Sequence, residues 1–298
     1  MKLQKRWKKI VKLNRIFEVI DEYDFSGLDV CSKTELVDML ICHIKKISMT
    51  NFKIFKNEID LNDEEVTELL KYLELIIKEK KPPQYVIGEV PFYNEKYIVT
   101  KDVLIPRQDT ETLVEKAIEY INKYKLEKGL DMCTGSGTIG ISVARNSNIK
   151  EMTLVDISSA ALKVAKDNVI KNDVGKKIST LQSNLFEKLM TTKLKYDIII
   201  SNPPYIPTSD VQSLSEYVKN EPVIALDGGI SGLDFYEKII NDARNFLNDG
   251  GFIAFEIGYN QMEDLVKIFN RFSEYTVVEK IKDYNSNDRV IICRFHKI

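Results

Sequence analysis

Residues 126–145 read LEKGLDMCTGSGTIGISVAR. The run climbs from Leu126 to Met132 as an apolar strand. It turns through Cys133-Thr134-Gly135-Ser136-Gly137 and enters a helix over residues 139–145. A strand, a glycine turn and a helix in succession are the repeating half of a parallel α/β sheet. The pattern extends both ways. Residues 110–124 look helical. Downstream, residues 152–155 and Ile178–Gln182 read as strands, residues 158–171 as a helix, and Tyr196–Ser201 as a strongly apolar strand. Residues 235–247 read as a helix, 252–257 as a strand, 261–272 as a helix, and 276–281 and 289–295 as two closing strands. Continuous apolar strands alternating with helices predict a mostly parallel, doubly wound sheet.

The amino-terminal part differs. Residues 1–80 read as helical, with Leu36, Met39, Leu40, His43, Ile44 and Ile47 on one face. Asn62 caps a following helix with Glu65 as its box partner, and Val66, Leu69, Leu70, Leu73 and Ile77 form its apolar stripe. Lys80-Lys81-Pro82-Pro83 breaks the helical pattern, and residues 84–105 alternate as a short hairpin does. At 298 residues, two domains are the expectation. The division reads as 1–81, a helical substrate-docking domain; 82–105, a hairpin linker; and 106–298, the sheet domain.

Composition excludes several functions. Lys+Arg is 43 and Asp+Glu 45, a formal net charge of −2, which disfavours a protein built to coat nucleic acid. The basic start (Lys2, Lys5, Arg6, Lys8, Lys9, Lys12) reads as a solvated face, with RNA contact the alternative. Four scattered cysteines without a C-x-x-C pair give neither a disulfide framework nor a zinc site, and fit a reducing cytoplasm. Two histidines, His43 and His296, leave little for a His-based triad or metal centre. No run approaches 18 apolar residues, so no membrane span is expected.

Three signals carry chemistry. The first is the glycine turn after Asp131, placed where doubly wound sheets bind nucleotide-like ligands and where free helix N–H groups face the ligand. A purely structural turn is the alternative. It lacks the G-x-G-x-x-G spacing of a dinucleotide site. The second is Asp156, 25 residues after Asp131, near the distance at which a second-strand acid meets ribose hydroxyls; a helix N-cap is the alternative. The third and strongest is Asn202-Pro203-Pro204-Tyr205, directly after a strand. An amide or aromatic amine nitrogen is a poor nucleophile because its lone pair is delocalised. The Asn202 side-chain oxygen and the Pro203 carbonyl are two acceptors for an NH₂ group, the prolines fix φ, and the Tyr205 ring is suited to cover a planar group and face a sulfonium methyl.

The turn Asp131–Gly137 resembles the D-x-G-x-G-x-G turn of S-adenosylmethionine-dependent methyltransferases, with Cys133 in place of the first glycine. The Asn-Pro-Pro-Tyr motif resembles that of enzymes modifying amino groups on planar systems. Residues 84–88 (QYVIG), 103–115 (VLIPRQDTETLVE), 221–236 (EPVIALDGGISGLDFY), 255–261 (FEIGYNQ) and 288–290 (DRV) resemble the HemK/PrmC release-factor glutamine methyltransferases, from about residue 30 to the end. Gln108-Asp109 stands for the usual Pro-Glu, and Asn184 where Asp is common.

The resemblance implies a class I S-adenosylmethionine-dependent methyltransferase fold, Rossmann-like with a seven-stranded mostly parallel sheet, behind a small N-terminal helical domain. It implies methyl transfer to the side-chain nitrogen of the glutamine in the Gly-Gly-Gln motif of class 1 peptide chain release factors, in translation termination. The cofactor would lie against Asp131, Cys133, Thr134, Gly135, Ser136, Gly137, Asp156, Leu185 and Asn202. Substrate would be held by Asn202, Pro203, Pro204 and Tyr205, of which Asn202, Pro203 and Tyr205 would be catalytic. No metal, membrane or direct nucleic-acid substrate is expected, and the chain is expected to act as a cytoplasmic monomer. The rival readings are glutamine methylation of a large-subunit ribosomal protein, adenine-N6 methylation of nucleic acid, and a non-catalytic ribosome-associated module.

Overall fold

The computed structural model describes residues 11, 12, 16, 18, 20–28 and 31–298. Lys2, Lys5, Arg6, Lys8 and Lys9 lie outside the described residues. The chain divides into two compact units, residues 1–88 with 215–220, and residues 89–214 with 221–298.

In the first unit, helices span Lys33–Lys45, Met49–Phe55 and Asp63–Leu73. Both long helices start with capping boxes, Ser32 with Glu35 and Asn62 with Glu65, so two orphan N–H groups at each start are satisfied reciprocally. The third helix widens into a π turn over Glu74–Lys78. Strand β1 (Val11–Lys12) pairs antiparallel with β2 (Asp60–Leu61). The buried face is wider than the single stripe expected. Val37, Ile41 and Phe52 join Leu36, Leu40, Val66, Leu69 and Leu73 in the core, while Met39, Ile44 and Ile47 are only partly covered. The alternation expected from residue 84 begins later. Pro83–Ile87 is a helical turn that Gly88 ends at φ 82°.

The second unit opens with the hairpin β3 (Glu89–Phe92) and β4 (Glu95–Ile98). Tyr93 and Asn94 both have positive φ, the signature of a two-residue type I′ turn. Asn168 ties the hairpin down. Its Oδ1 accepts from Ile98 N at 2.6 Å, and its Nδ2 donates to Ile98 O at 3.0 Å and Ser136 O at 2.9 Å.

A seven-stranded sheet forms the body of this unit: β5 (Lys128–Met132), β6 (Glu151–Asp156), β7 (Ile178–Gln182), β8 (Tyr196–Ser201), β9 (Leu247–Glu256), β10 (Tyr275–Lys282) and β11 (Asp288–Phe295), in the order β10-β11-β9-β8-β5-β6-β7. Pairings from β9 through β7 are parallel, and those of β11 with β9 and β10 antiparallel. This is the mostly parallel α/β sheet expected. Strand β9 runs longer than expected, because it begins at Leu247 and carries Gly250 and Gly251, and the helix before it is Asp234–Ala243. Leu130, Ile199, Ile253 and Ile291 on adjacent strands are fully buried. The order reverses at β5, between β6 and β8, and ligand crevices open beyond the carboxyl ends of strands at such a switch point. Among the described residues no helix is long and apolar enough to cross a membrane.

Candidate active site

Beyond the carboxyl ends of β5, β6 and β8 lies a cavity enclosing about 920 Å³ of space, part of it open to solvent. The glycine turn, Asp156 and Asn202 all reach it, although they lie far apart in the chain.

The turn after β5 is held from beneath by Asp131. Its Oδ2 accepts from the Thr134 hydroxyl at 2.6 Å and from Gly140 N at 2.9 Å. Its Oδ1 has no hydrogen-bond partner, and burial lifts its pKa to about 7 against the pull of those two donors. Cys133 sits at φ 61°, Gly135 at φ 54° and Gly137 at φ 81°. A Cβ at Gly135 would meet nothing within 4 Å. Its glycine is required by conformation, and open space lies above it. Burial pushes the Cys133 thiol far above its ordinary value, so it stays protonated.

At the end of β6, Asp156 Oδ2 accepts from Gly135 N at 2.8 Å and Oδ1 from Ser158 N at 2.9 Å. Burial raises its pKa, opposed by these backbone donors. A carboxylate has about four acceptor positions, so capacity remains for a further donor. The helix after it is capped by Ser158, so Asp156 does not serve as the N-cap.

After β8, Ser201 donates from its hydroxyl to Met132 O at 2.6 Å, locking this strand end beside the glycine turn. The motif that follows is clamped by a strap 20 to 30 residues on. Ile206 and Asp227 form a parallel bridge, with Ile206 N donating to Leu226 O at 3.0 Å and Gly228 N to Ile206 O at 2.8 Å. Gln261 Nε2 donates to Tyr205 O at 3.0 Å and Gly232 O at 3.1 Å. At Gly232 (φ 73°) a Cβ would stand 2.3 Å from Tyr205 O, so only glycine permits this approach.

Of the residues singled out from sequence, Cys133, Gly135, Asp156, Leu185, Asn202 and Pro204 border the cavity. Asp131, Thr134, Ser136 and Gly137 are buried beneath the turn and do not border it. The Pro203 side chain is buried and Pro203 is not among the residues that border the cavity. Tyr205 packs against the sheet's core, and burial raises its hydroxyl to about 12. Sequence reasoning missed that Val103, Leu104, Pro222, Ile224, Phe235 and Lys238 also line the cavity. It also missed Glu221, buried between them, which accepts from Ile105 N at 2.9 Å and pairs with Arg107. The motifs VLIPR and EPVIAL were visible, but not that one carboxylate joins them. Glu256 was likewise missed as a site residue. Among the described residues no group of three or more His, Cys, Asp or Glu is placed to hold a metal ion.

Residues 109–219 match the family model described as Methyltransferase small domain. The chain is 36% identical over 310 residues to a release factor glutamine methyltransferase of Fusobacterium nucleatum, covering 96% of this chain and 85% of the relative. It is 40% identical over 227 residues to one of Clostridium botulinum, covering 75% and 80%. Among solved structures, the catalytic domain of hMettl16 in complex with MAT2A 3'UTR hairpin 6 superposes with a TM-score of 0.55 at 15% identity, over 78% of this chain and 82% of that one. At that identity the likeness speaks for the fold alone.

Proposed function

The chain belongs to the release factor glutamine methyltransferases, and from that premise we propose how its residues work. It transfers a methyl group from S-adenosylmethionine to the side-chain amide nitrogen of a glutamine in a release factor. The observation that carries the assignment of parts is that Asn202, Asp156 and Gly135 border one cavity.

The cavity suits this cofactor. Asp156 offers two acceptors to a ribose diol. The open space over Gly135 admits a ligand against bare backbone. The buried Asp131 carboxyl holds the turn beneath that space through the Thr134 hydroxyl and Gly140 N. When bound, the cofactor supplies a methyl group made electrophilic by its sulfonium. Leu185, held at φ 46°, and Cys133 border the same space.

The protein's own part is positioning. The Asn202 Oδ1 and the Pro203 carbonyl accept the two N–H groups of the glutamine amide and turn its nitrogen lone pair toward the methyl. Pro204 and the wall of Leu104, Ile224 and Phe235 exclude water. We assign Tyr205 to holding this loop rather than to covering the amide, because its ring packs on the core and its carbonyl is pinned by Gln261. Alignment of this kind contributes about 7–11 kcal/mol of barrier reduction. The target is the glutamine of the Gly-Gly-Gln motif of class 1 release factors, methylated in the cytoplasm by a monomer.

Incubation with methyl-labelled cofactor and a class 1 release factor, beside its Gly-Gly-Gln Gln→Ala variant, tests this reading. Label is expected in the first alone. Label in both moves the target elsewhere on the factor, and label in neither removes it as substrate.

A further inference from the structure

Register between two strands brings a buried acid to Asn202. Ser201 on β8 pairs in parallel with Phe255 on β9, so the next residues, Asn202 just past β8 and Glu256 at the end of β9, come side by side. Glu256 is 1% exposed, and its Oε2 has no hydrogen-bond partner. A buried carboxyl with an unpartnered oxygen costs stability and asks for an explanation. Burial raises its pKa to about 7, and the neighbouring Thr110 and Asn202 side chains draw it back, helped by Arg289 and opposed by Asp109. Its backbone is also fixed, with the Tyr236 hydroxyl donating to Glu256 O at 2.8 Å.

A terminal amide has two faces of nearly equal shape, and only hydrogen bonding decides which atom points where. We propose that Glu256 is a positioning residue for Asn202: its carboxyl accepts from the Asn202 NH₂ group and so turns Oδ1 toward the substrate nitrogen. Without that acceptor, the two orientations of the amide compete. In the wrong one, Asn202 presents donors to a substrate NH₂ that is itself a donor. The proposal rests on the methyl-transfer reading above. Turnover by the wild type upholds that reading whichever way the Glu256 variants fall.

The test compares Glu256→Gln, which keeps an acceptor, with Glu256→Leu, which removes it, each alone and with Asn202→Ala. Glu256→Leu is expected to lower kcat on the order of 10²-fold, with S-adenosylhomocysteine affinity within about twofold of wild type on the same criterion. Glu256→Gln restores most of kcat. Adding Asn202→Ala to Glu256→Leu costs little more, because both act on one interaction. Additive losses, or a Glu256→Leu enzyme of near wild-type kcat, overturn the proposal. So does a Glu256→Leu enzyme whose cofactor affinity and melting midpoint collapse with kcat while Glu256→Gln behaves the same way. If Glu256→Leu does not fold, the side-chain NH₂ resonances of Asn202 decide. Slow hydrogen exchange in the wild type and Glu256→Gln supports the contact, and exchange as fast as at an exposed asparagine refutes it.

Discussion

The two sides of the cavity are built by opposite means. On the β5–β6 side, side chains hold backbone. Asp131 holds the Gly140 N–H as well as the Thr134 hydroxyl, and Asp156 holds the N–H groups of Gly135 and Ser158, all between residues 131 and 158. On the β8 side, backbone holds backbone. The chain just after Tyr205 is bridged at Ile206 by residues 226–228, and Gly232 presses on the Tyr205 carbonyl, with Gln261 as a side-chain strut. A ligand site made of carboxylates tolerates loss of one contact at a bounded cost. A loop held by close backbone approach has no slack for an added atom.

The comparison breaks most visibly at Gly232. Gly232→Ala places a Cβ on the Tyr205 carbonyl in a left-handed conformation. Strain of about 1–2 kcal/mol and overpacking of about 1–3 kcal/mol add up to a loss readable by denaturant unfolding, and kcat falls with it. An unchanged unfolding midpoint would show the strap to be slack. Next, Asn202→Ala is expected to lower kcat by about 10²-fold while S-adenosylhomocysteine binding, measured by calorimetry, stays near wild type. Equal losses in both would place Asn202 on the cofactor alone.

On the other side, Asp156→Ala is expected to weaken S-adenosylhomocysteine binding by about 1.5–3 kcal/mol, the scale of hydrogen bonds to a charged group, without a matching fall in single-turnover rate at saturation. Unchanged affinity would remove Asp156 from the ribose. Asp131 gives a pH signature. Its carboxyl titrates at about 7 in the fold, above its unfolded value of about 3.9. The folded protein therefore keeps a proton that the unfolded chain has lost. Between those values this group makes stability fall as pH rises, by at most about 1.4 kcal/mol per pH unit. Asp131→Asn lacks that slope, and the difference between the two unfolding profiles measures it. Parallel profiles would mean that burial does not hold the proton. The smallest effect is Cys133→Gly. It relieves a left-handed cysteine, gains under about 1 kcal/mol after the entropy of the added glycine, and leaves turnover intact. Lost turnover with intact cofactor binding would give the thiol a role that its raised pKa argues against.

Local chemistry made much of this molecule readable from its residues alone. The alternation of apolar strands and helices from residue 110 onward determines a parallel α/β sheet, since each strand must bury both faces. The glycine turn, Asp156 and the Asn-Pro-Pro-Tyr motif each stand out within a few residues, because each is a short run of particular residue types at the end of a strand. Three things were decided only by tertiary structure. Strand register set Glu256 beside Asn202, although 53 residues separate their neighbours Ser201 and Phe255. Loop packing turned the glycines at 228 and 232 into a clamp on Tyr205 and drew that ring to the core. A single buried carboxylate, Glu221, joined two motifs 114 residues apart. Periodicity and capping act over a turn or a strand, whereas register and close packing depend on which surfaces meet, and that is settled only when the whole sheet assembles.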